Sequence, residues 1–166
     1  TAVRLALRAF KAAFRRVFYV PGNHDMWIRP KGQHSDEPSM FADSVQKLLS
    51  LWQMCDELDV DTGPARLSPK CTVLPLDSWY SYTFDHHDPR PGSTKFDSFC
   101  KWPMHYDATW EFMTGLNESR LAILNRHTPL AEFSADKSKP DVISFSHFLP
   151  RKELPLPGVH EMAKAS

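Results

Sequence analysis

The chain has 166 residues, 42% hydrophobic and 24% charged, a balance that indicates a globular protein with a real core and argues against disorder. Twenty basic and twenty acidic side chains cancel, so no global field draws nucleic acid or a membrane surface, and no run of about 18 apolar residues could span a bilayer. Cys55, Cys71 and Cys100 have the wrong number and spacing for a disulfide scaffold. They read as reduced thiols, which points to an intracellular protein of the cytoplasm, with an organelle left open. Glycine is scarce at 6 and proline abundant at 14, and most of the prolines fall after residue 60.

Val3, Leu7, Phe10, Phe14 and Val17 recur at helical spacing and predict a helix over 3–16, with Arg4, Arg8, Lys11 and Arg15 on a neighbouring stripe. A basic helix without acids also resembles an organelle transit peptide. It runs directly into Val17-Phe18-Tyr19-Val20, however, an apolar run of the kind buried in parallel sheets, and a removable presequence is not fused to a core strand. Pro21-Gly22 ends that strand, and a polar loop follows to about Pro38. Phe41, Val45, Leu48, Trp52 and Cys55 predict a second helix over 39–58, capped by Ser39, and Gly63-Pro64 breaks the chain after it. Two strands are expected at 71–76 and 79–84. The segment 85–105, with three prolines and three histidines, reads as a long loop. Asn117 is placed to cap a helix through Leu121 and Leu124 to His127, and 141–146 reads as another buried strand that delivers His147 at its carboxyl end. Helices alternating with apolar strands indicate an α/β fold.

The strongest chemical signal is Gly22-Asn23-His24-Asp25, directly after the Val17–Val20 strand, at the strand-to-loop corner where open α/β sheets place ligands. Glycine allows a tight turn and close backbone approach. An asparagine oxygen can ligate a hard cation without cancelling its charge, so the ion keeps its Lewis acidity. A neighbouring imidazole can donate a proton near neutral pH to a leaving alkoxide.

The segment Val20-Pro21-Gly22-Asn23-His24-Asp25 resembles the Gly-Asn-His-Asp/Glu motif of calcineurin-like metallophosphoesterases. The resemblance implies Asn23 as a ligand of one ion in a two-metal centre, His24 as general acid or transition-state stabiliser, and Asp25 as a supporting carboxylate. A second match follows in the right order. Asp141-Val142-Ile143-Ser144-Phe145-Ser146-His147 has the form of the family's lone metal-binding histidine after a buried strand, which implies His147 on the same ion as Asn23. Leu76-Asp77-Ser78-Trp79 resembles the strand between the two motifs, less specifically. The implied fold is the family's two-sheet α/β sandwich, incomplete at both ends. The implied activity is hydrolysis of a phosphorylated substrate by two divalent ions, which polarise the phosphate and activate a bridging water. Mixed nitrogen and oxygen ligation suits manganese, iron or zinc.

The family's Asp-x-His and Gly-Asp-x-x-Asp motifs have no counterpart before Gly22, and after His147 the only histidine is His160, in Gly158-Val159-His160, where Gly-His-x-His belongs. Loss by mutation would scatter, whereas truncation removes ends. Residues 1–166 are therefore expected to be the middle of a longer phosphoesterase domain, inactive alone because the second ion lacks ligands. Asp85-His86-His87-Asp88 contains an out-of-order Asp-x-His and, with Cys100 or His105, is an alternative structural zinc site. The same loop could instead overhang the centre, making His86, His87 and Arg90 phosphate contacts, with Arg29 and Arg151 similar candidates. A scaffold serving as a non-catalytic interaction module is the remaining alternative. Asn117-Glu118-Ser119 fits a glycosylation pattern but opens a helix, and the five tryptophans lack the basic surface of a base-stacking platform.

Overall fold

A computed structural model describes residues 1–28, 40–79, 99–104, 106–127 and 141–148, and among them the chain is mixed α/β. The first helix, α1, spans Ala2–Ala13, with the Thr1 hydroxyl accepting the Arg4 amide hydrogen at 3.3 Å. It ends three residues short of the predicted boundary, because Phe14 is already extended (φ −125°, ψ 139°). Leu7 is buried and Val3 half-buried, while Phe10 and Phe14 on the same stripe stay exposed. The apolar stripe therefore docks only over its first two turns.

Val17–Val20, expected as a core strand, is extended but makes a single parallel bridge, Phe18 to Asp61. Two backbone bonds hold it, Tyr19 N–H to Asp61 C=O at 2.9 Å and Asp61 N–H to Val17 C=O at 2.8 Å. Arg16 adds a bidentate pair to the Asp61 carboxylate, both bonds 2.8 Å. Among the described residues one bridge opposes the segment, and all four of its side chains are half-buried.

The one-turn helix α2, Asn23–Met26, follows the Pro21-Gly22 corner. Helix α3 covers Ser44–Glu57, later than the expected start at Ser39, because Asp43 is the cap: its carboxylate accepts the Gln46 amide hydrogen at 2.8 Å. Ser39 itself lies outside the described residues. At the far end Asp59 takes a left-handed conformation (φ 54°), its N–H bonding Asp56 C=O at 3.1 Å and that of Val60 bonding Cys55 C=O at 2.9 Å. This is a Schellman stop with aspartate where glycine is usual.

The sheet has order β1-β2-β3, with β1 at Ala65–Ser68, β2 at Cys71–Leu76 and β3 at Asp141–Ser146. The short β1, absent from the sequence expectations, forms an antiparallel hairpin with β2, and β2 pairs in parallel with β3 from Cys71–Asp141 to Leu76–Ser146. Pro75 interrupts what would be a central strand, yet it lies past the last β1 pairing, Ala65 with Val73, where its missing N–H breaks no bond to β1. Strand β3 was expected to be buried, but Val142 and Ile143 are about half exposed; it has one sheet neighbour among the described residues. Trp79 lies in no strand, and the rest of the expected 79–84 strand is outside the described residues.

Helix α4 runs from Tyr106 to His127 and starts eleven residues before the expected cap at Asn117. Asn117 is mid-helix, its side chain spent elsewhere. Two clusters make the core: Met26, Leu48, Trp79, Met113 and Phe148 between α2, α3, α4 and the strand ends, and Leu7, Met54, Cys55 and Val60 under α1. Helix α3 serves both, with Leu51 touching each. Cys55 is fully buried, and burial pushes its thiol up to about 11, so it behaves as a packed apolar side chain. No helix among the described residues is long and apolar enough to cross a membrane.

Candidate metal and phosphate site

The Gly22–Asp25 corner is fixed from three sides. Ser44, wholly buried at the start of α3, donates its hydroxyl to Met26 C=O at 3.0 Å and accepts the Lys101 amide hydrogen at 2.8 Å. Lys47 donates to Trp27 C=O at 2.6 Å, and the Ile28 N–H bonds Phe99 C=O at 2.7 Å. The Cys100 thiol points at Asn23 C=O, 3.7 Å away. The turn that carries the motif is thus held by α3 and by residues 99–101, a contact with no signature in the spacing of the sequence.

His147, one residue past β3, brings its Nε2 to 3.0 Å from Asn23 Oδ1 across 124 positions of sequence. Asn23 is buried and His147 exposed, so the pair has a protein side and a solvent side. The imidazole lies directly on Gly22: a Cβ there would sit 2.8 Å from Cε1, 2.9 Å from Nδ1 and 3.1 Å from Nε2. Gly22 has φ −93° and ψ 174°, a conformation any residue adopts. The position needs glycine for space beside the His147 ring, not for its backbone freedom.

His24 is exposed, with its ring stacked on Trp27 at 3.8 Å between centroids and 32° tilt, and Trp27 leans on Phe99 at 5.3 Å. Asp25 turns back: its Oδ2 accepts the Gly22 N–H at 2.9 Å, capping α2. Behind it the Tyr19 hydroxyl is buried beside the Asp25 carboxylate. Burial, with the Asp25 carboxylate adding to it, pushes that phenol above its ordinary value, so Tyr19 stays neutral.

Asp77 and Ser78 continue from the end of β2. The Asp77 side chain is 1% exposed and ion-paired to Arg120 Nη1 of α4. Burial raises its pKa above the usual carboxylate value, opposed by Arg120. Arg120 also donates to Thr62 C=O at 3.0 Å and lies 4.1 Å over the Trp52 ring. This latch, and the Gly22–His147 contact, escaped the sequence reading. Asp77 after an apolar run was the visible hint; nothing linear pairs it with Arg120.

The other expected site residues, Arg29, His86, His87, Arg90 and Arg151, lie outside the described residues, as do Asp85, Asp88, His105 and His160. Among the described residues no group of three His, Cys, Asp or Glu side chains is placed to hold an ion. Asn23 Oδ1 and His147 Nε2 nevertheless suit one. Two donors each about 2.1 Å from a common ion and at right angles stand about 3.0 Å apart, the spacing seen here. Compared with known proteins, the chain matches no family model, no curated protein and no solved structure.

Proposed function

We propose that these residues form part of a divalent-metal centre that hydrolyses phosphoesters, within a two-sheet α/β sandwich of the metallophosphoesterase type. The supporting observation is the 3.0 Å approach of His147 Nε2 to Asn23 Oδ1, two motifs 124 residues apart whose donors converge. On this reading Asn23 and His147 hold one ion of manganese, iron or zinc, and a second ion takes donors beyond this pair. When bound, the ions supply Lewis acidity toward a phosphoryl oxygen and lower the pKa of water. The chain's own part is to keep Asn23 oriented, to present His147 on the solvent side, and to hold His24 against Trp27 within reach of solvent as proton donor to the leaving oxygen.

The test is metal titration followed by aryl-phosphate hydrolysis, on a chain that includes any flanking sequence, with Asn23→Ala, His147→Ala and His24→Ala. The expected pattern is lost ion binding for the first two, and retained binding with lowered turnover for the third. Undiminished binding and activity in all three would refute the assignment.

A second reading is supported by the same geometry. The Asn23–His147 contact is also a complete hydrogen bond, as in a structural tie of a non-catalytic interaction module. That reading expects no tight divalent-ion binding with flanking sequence present, and the titration separates the two.

A further inference from the structure

Asn117 has a role that neither a helix cap nor a glycosylation pattern describes. Its side-chain amide is set against the backbone of Asp77, with Oδ1 accepting the Asp77 N–H at 3.0 Å and Nδ2 donating to the Asp77 C=O at 2.7 Å. One amide thus bonds both main-chain groups of one residue, as a neighbouring strand does. The place matters, because β2 and β3 make their last pairing at Leu76 and Ser146. Asn117 takes over one residue later, from α4. Three positions along the same helix face, Arg120 grips the Asp77 carboxylate and the Thr62 carbonyl, which fixes the rotation of α4 about its axis.

The consequence reaches His147 through two short steps. With Asp77 held, Ser78 is placed so that its Oγ accepts the Phe148 N–H at 3.2 Å. The Phe148 C=O in turn accepts the Ser146 hydroxyl at 2.7 Å. The residue after His147 therefore has both backbone groups tied, and the residue before it is the last of β3. His147 leaves the sheet between two fixed points, aimed at Gly22 and Asn23. A Cβ at Gly22 would meet its ring at 2.8 Å, so little freedom is left to an imidazole that must pass there.

We propose that Asn117 is a positioning residue for His147, acting through Asp77, Ser78 and Phe148 rather than by touching it. The bonds that carry this arrangement are all between the chain's own residues. Only its consequence for metal affinity, a weakening of about tenfold in Asn117→Leu, rests on the function proposed above.

The experiment is the nuclear Overhauser cross-peak between the His147 ring Hε1 and the Gly22 α protons in metal-free protein, with the Nε2 nitrogen shift of His147 as a second readout. Asn117→Leu keeps the side-chain size and removes both amide bonds. Ser78→Ala removes only the acceptor for Phe148 N–H and decides the matter if Asn117→Leu does not fold. Glu118→Gln, exposed on the same helix, is the control. The expected result is loss of the cross-peak and a moved Nε2 shift in the folded test variants, with both intact in the control. An unchanged cross-peak in the folded test variants would overturn the proposal, and so would its equal loss in the control. Failure of the metal titration on wild-type protein with an intact cross-peak counts against the proposed function alone.

Discussion

Two polar clusters sit past the carboxyl ends of adjacent parallel strands and are built on opposite terms. Beyond β2, Asp77 is sealed: its side chain is 1% exposed, its charge is met by Arg120, and its backbone is bracketed by Asn117. Beyond β3, His147 is exposed and meets the side-chain amide of Asn23 at hydrogen-bond distance. The first cluster pairs two formal charges with the carboxylate buried; the second stays open to solvent. Burying a charge is tolerable only when it is paired, so Asp77 depends on Arg120, the more so because its Oδ1 has no hydrogen-bond partner among the described residues. The open Asn23–His147 pair has no such constraint. On the proposed function, stability falls to the Asp77 side and chemistry to the His147 side, and substitutions can separate the two.

The largest effect is expected from Arg120→Ala, which leaves the Asp77 carboxylate buried without its counter-charge. Removing one partner of a buried pair costs about 3–5 kcal/mol, here with the packing of Arg120 over Trp52 lost as well. The cost should depend on pH in a definite direction. Burial already raises the Asp77 pKa in the native protein, so the folded state binds that proton more tightly than the unfolded chain does. Its contribution to stability therefore falls as pH rises from the ordinary carboxylate value through the folded one. Without Arg120 the folded value rises further, and Arg120→Ala should be less destabilising at pH 5 than at pH 8. Chemical denaturation at the two pH values measures this, and an equal cost at both would show that Asp77 is not desolvated as described.

Next in size is Gly22→Ala, which joins the two clusters' logic at one atom. The added methyl would stand 2.8–3.1 Å from three atoms of the His147 ring. Overpacking of this kind costs about 1–3 kcal/mol if the ring stays. Because His147 has an exposed side, the ring can swing away instead, at lower cost but with the Asn23 contact broken. A ring that swings away is separated from Asn23, so ion binding should be lost with little change in stability, whereas a ring that stays should keep binding at the full overpacking cost. Thermal unfolding with metal titration on the same sample checks it, and unaltered stability together with unaltered binding would show that the ring does not need that space.

The two clusters were unequally legible in the sequence. The His147 side announced itself, because Gly22-Asn23-His24-Asp25 and the run ending at His147 each place polar chemistry at the end of an apolar stretch. The close approach expected at the glycine is there, but the motif could not name its partner, since that space is taken by the His147 side chain of another segment. The Asp77 side was nearly silent. Asn117 looked like a cap because capping residues are recognised by type, and nothing local shows that its amide is used on a strand 40 residues away. Helix α4 accordingly began eleven residues earlier than its strongest local stop-and-start signal. The apolar run Val17–Val20 was read as a core strand by composition, but composition does not count neighbours, and among the described residues Asp61 alone bridges to it. The same gap explains β3, whose Val142 and Ile143 have strand chemistry and half-exposed side chains.

The smallest expected effect on stability is the most informative about function. In His147→Ala one neutral hydrogen bond disappears, and such bonds contribute about 0.5–1.5 kcal/mol net. The full penalty of an orphaned acceptor should not appear at Asn23, because the departing imidazole opens the solvent side and water can take its place. A loss near 1 kcal/mol with complete loss of ion binding is therefore expected, measured by urea denaturation and calorimetric titration. It would contrast with Arg120→Ala, where stability collapses first. If His147→Ala were instead as destabilising as Arg120→Ala, the open cluster would be a structural tie like the sealed one. The interaction-module reading would then gain on the catalytic one, because a pair that the fold depends on has little freedom left to exchange its hydrogen bond for an ion.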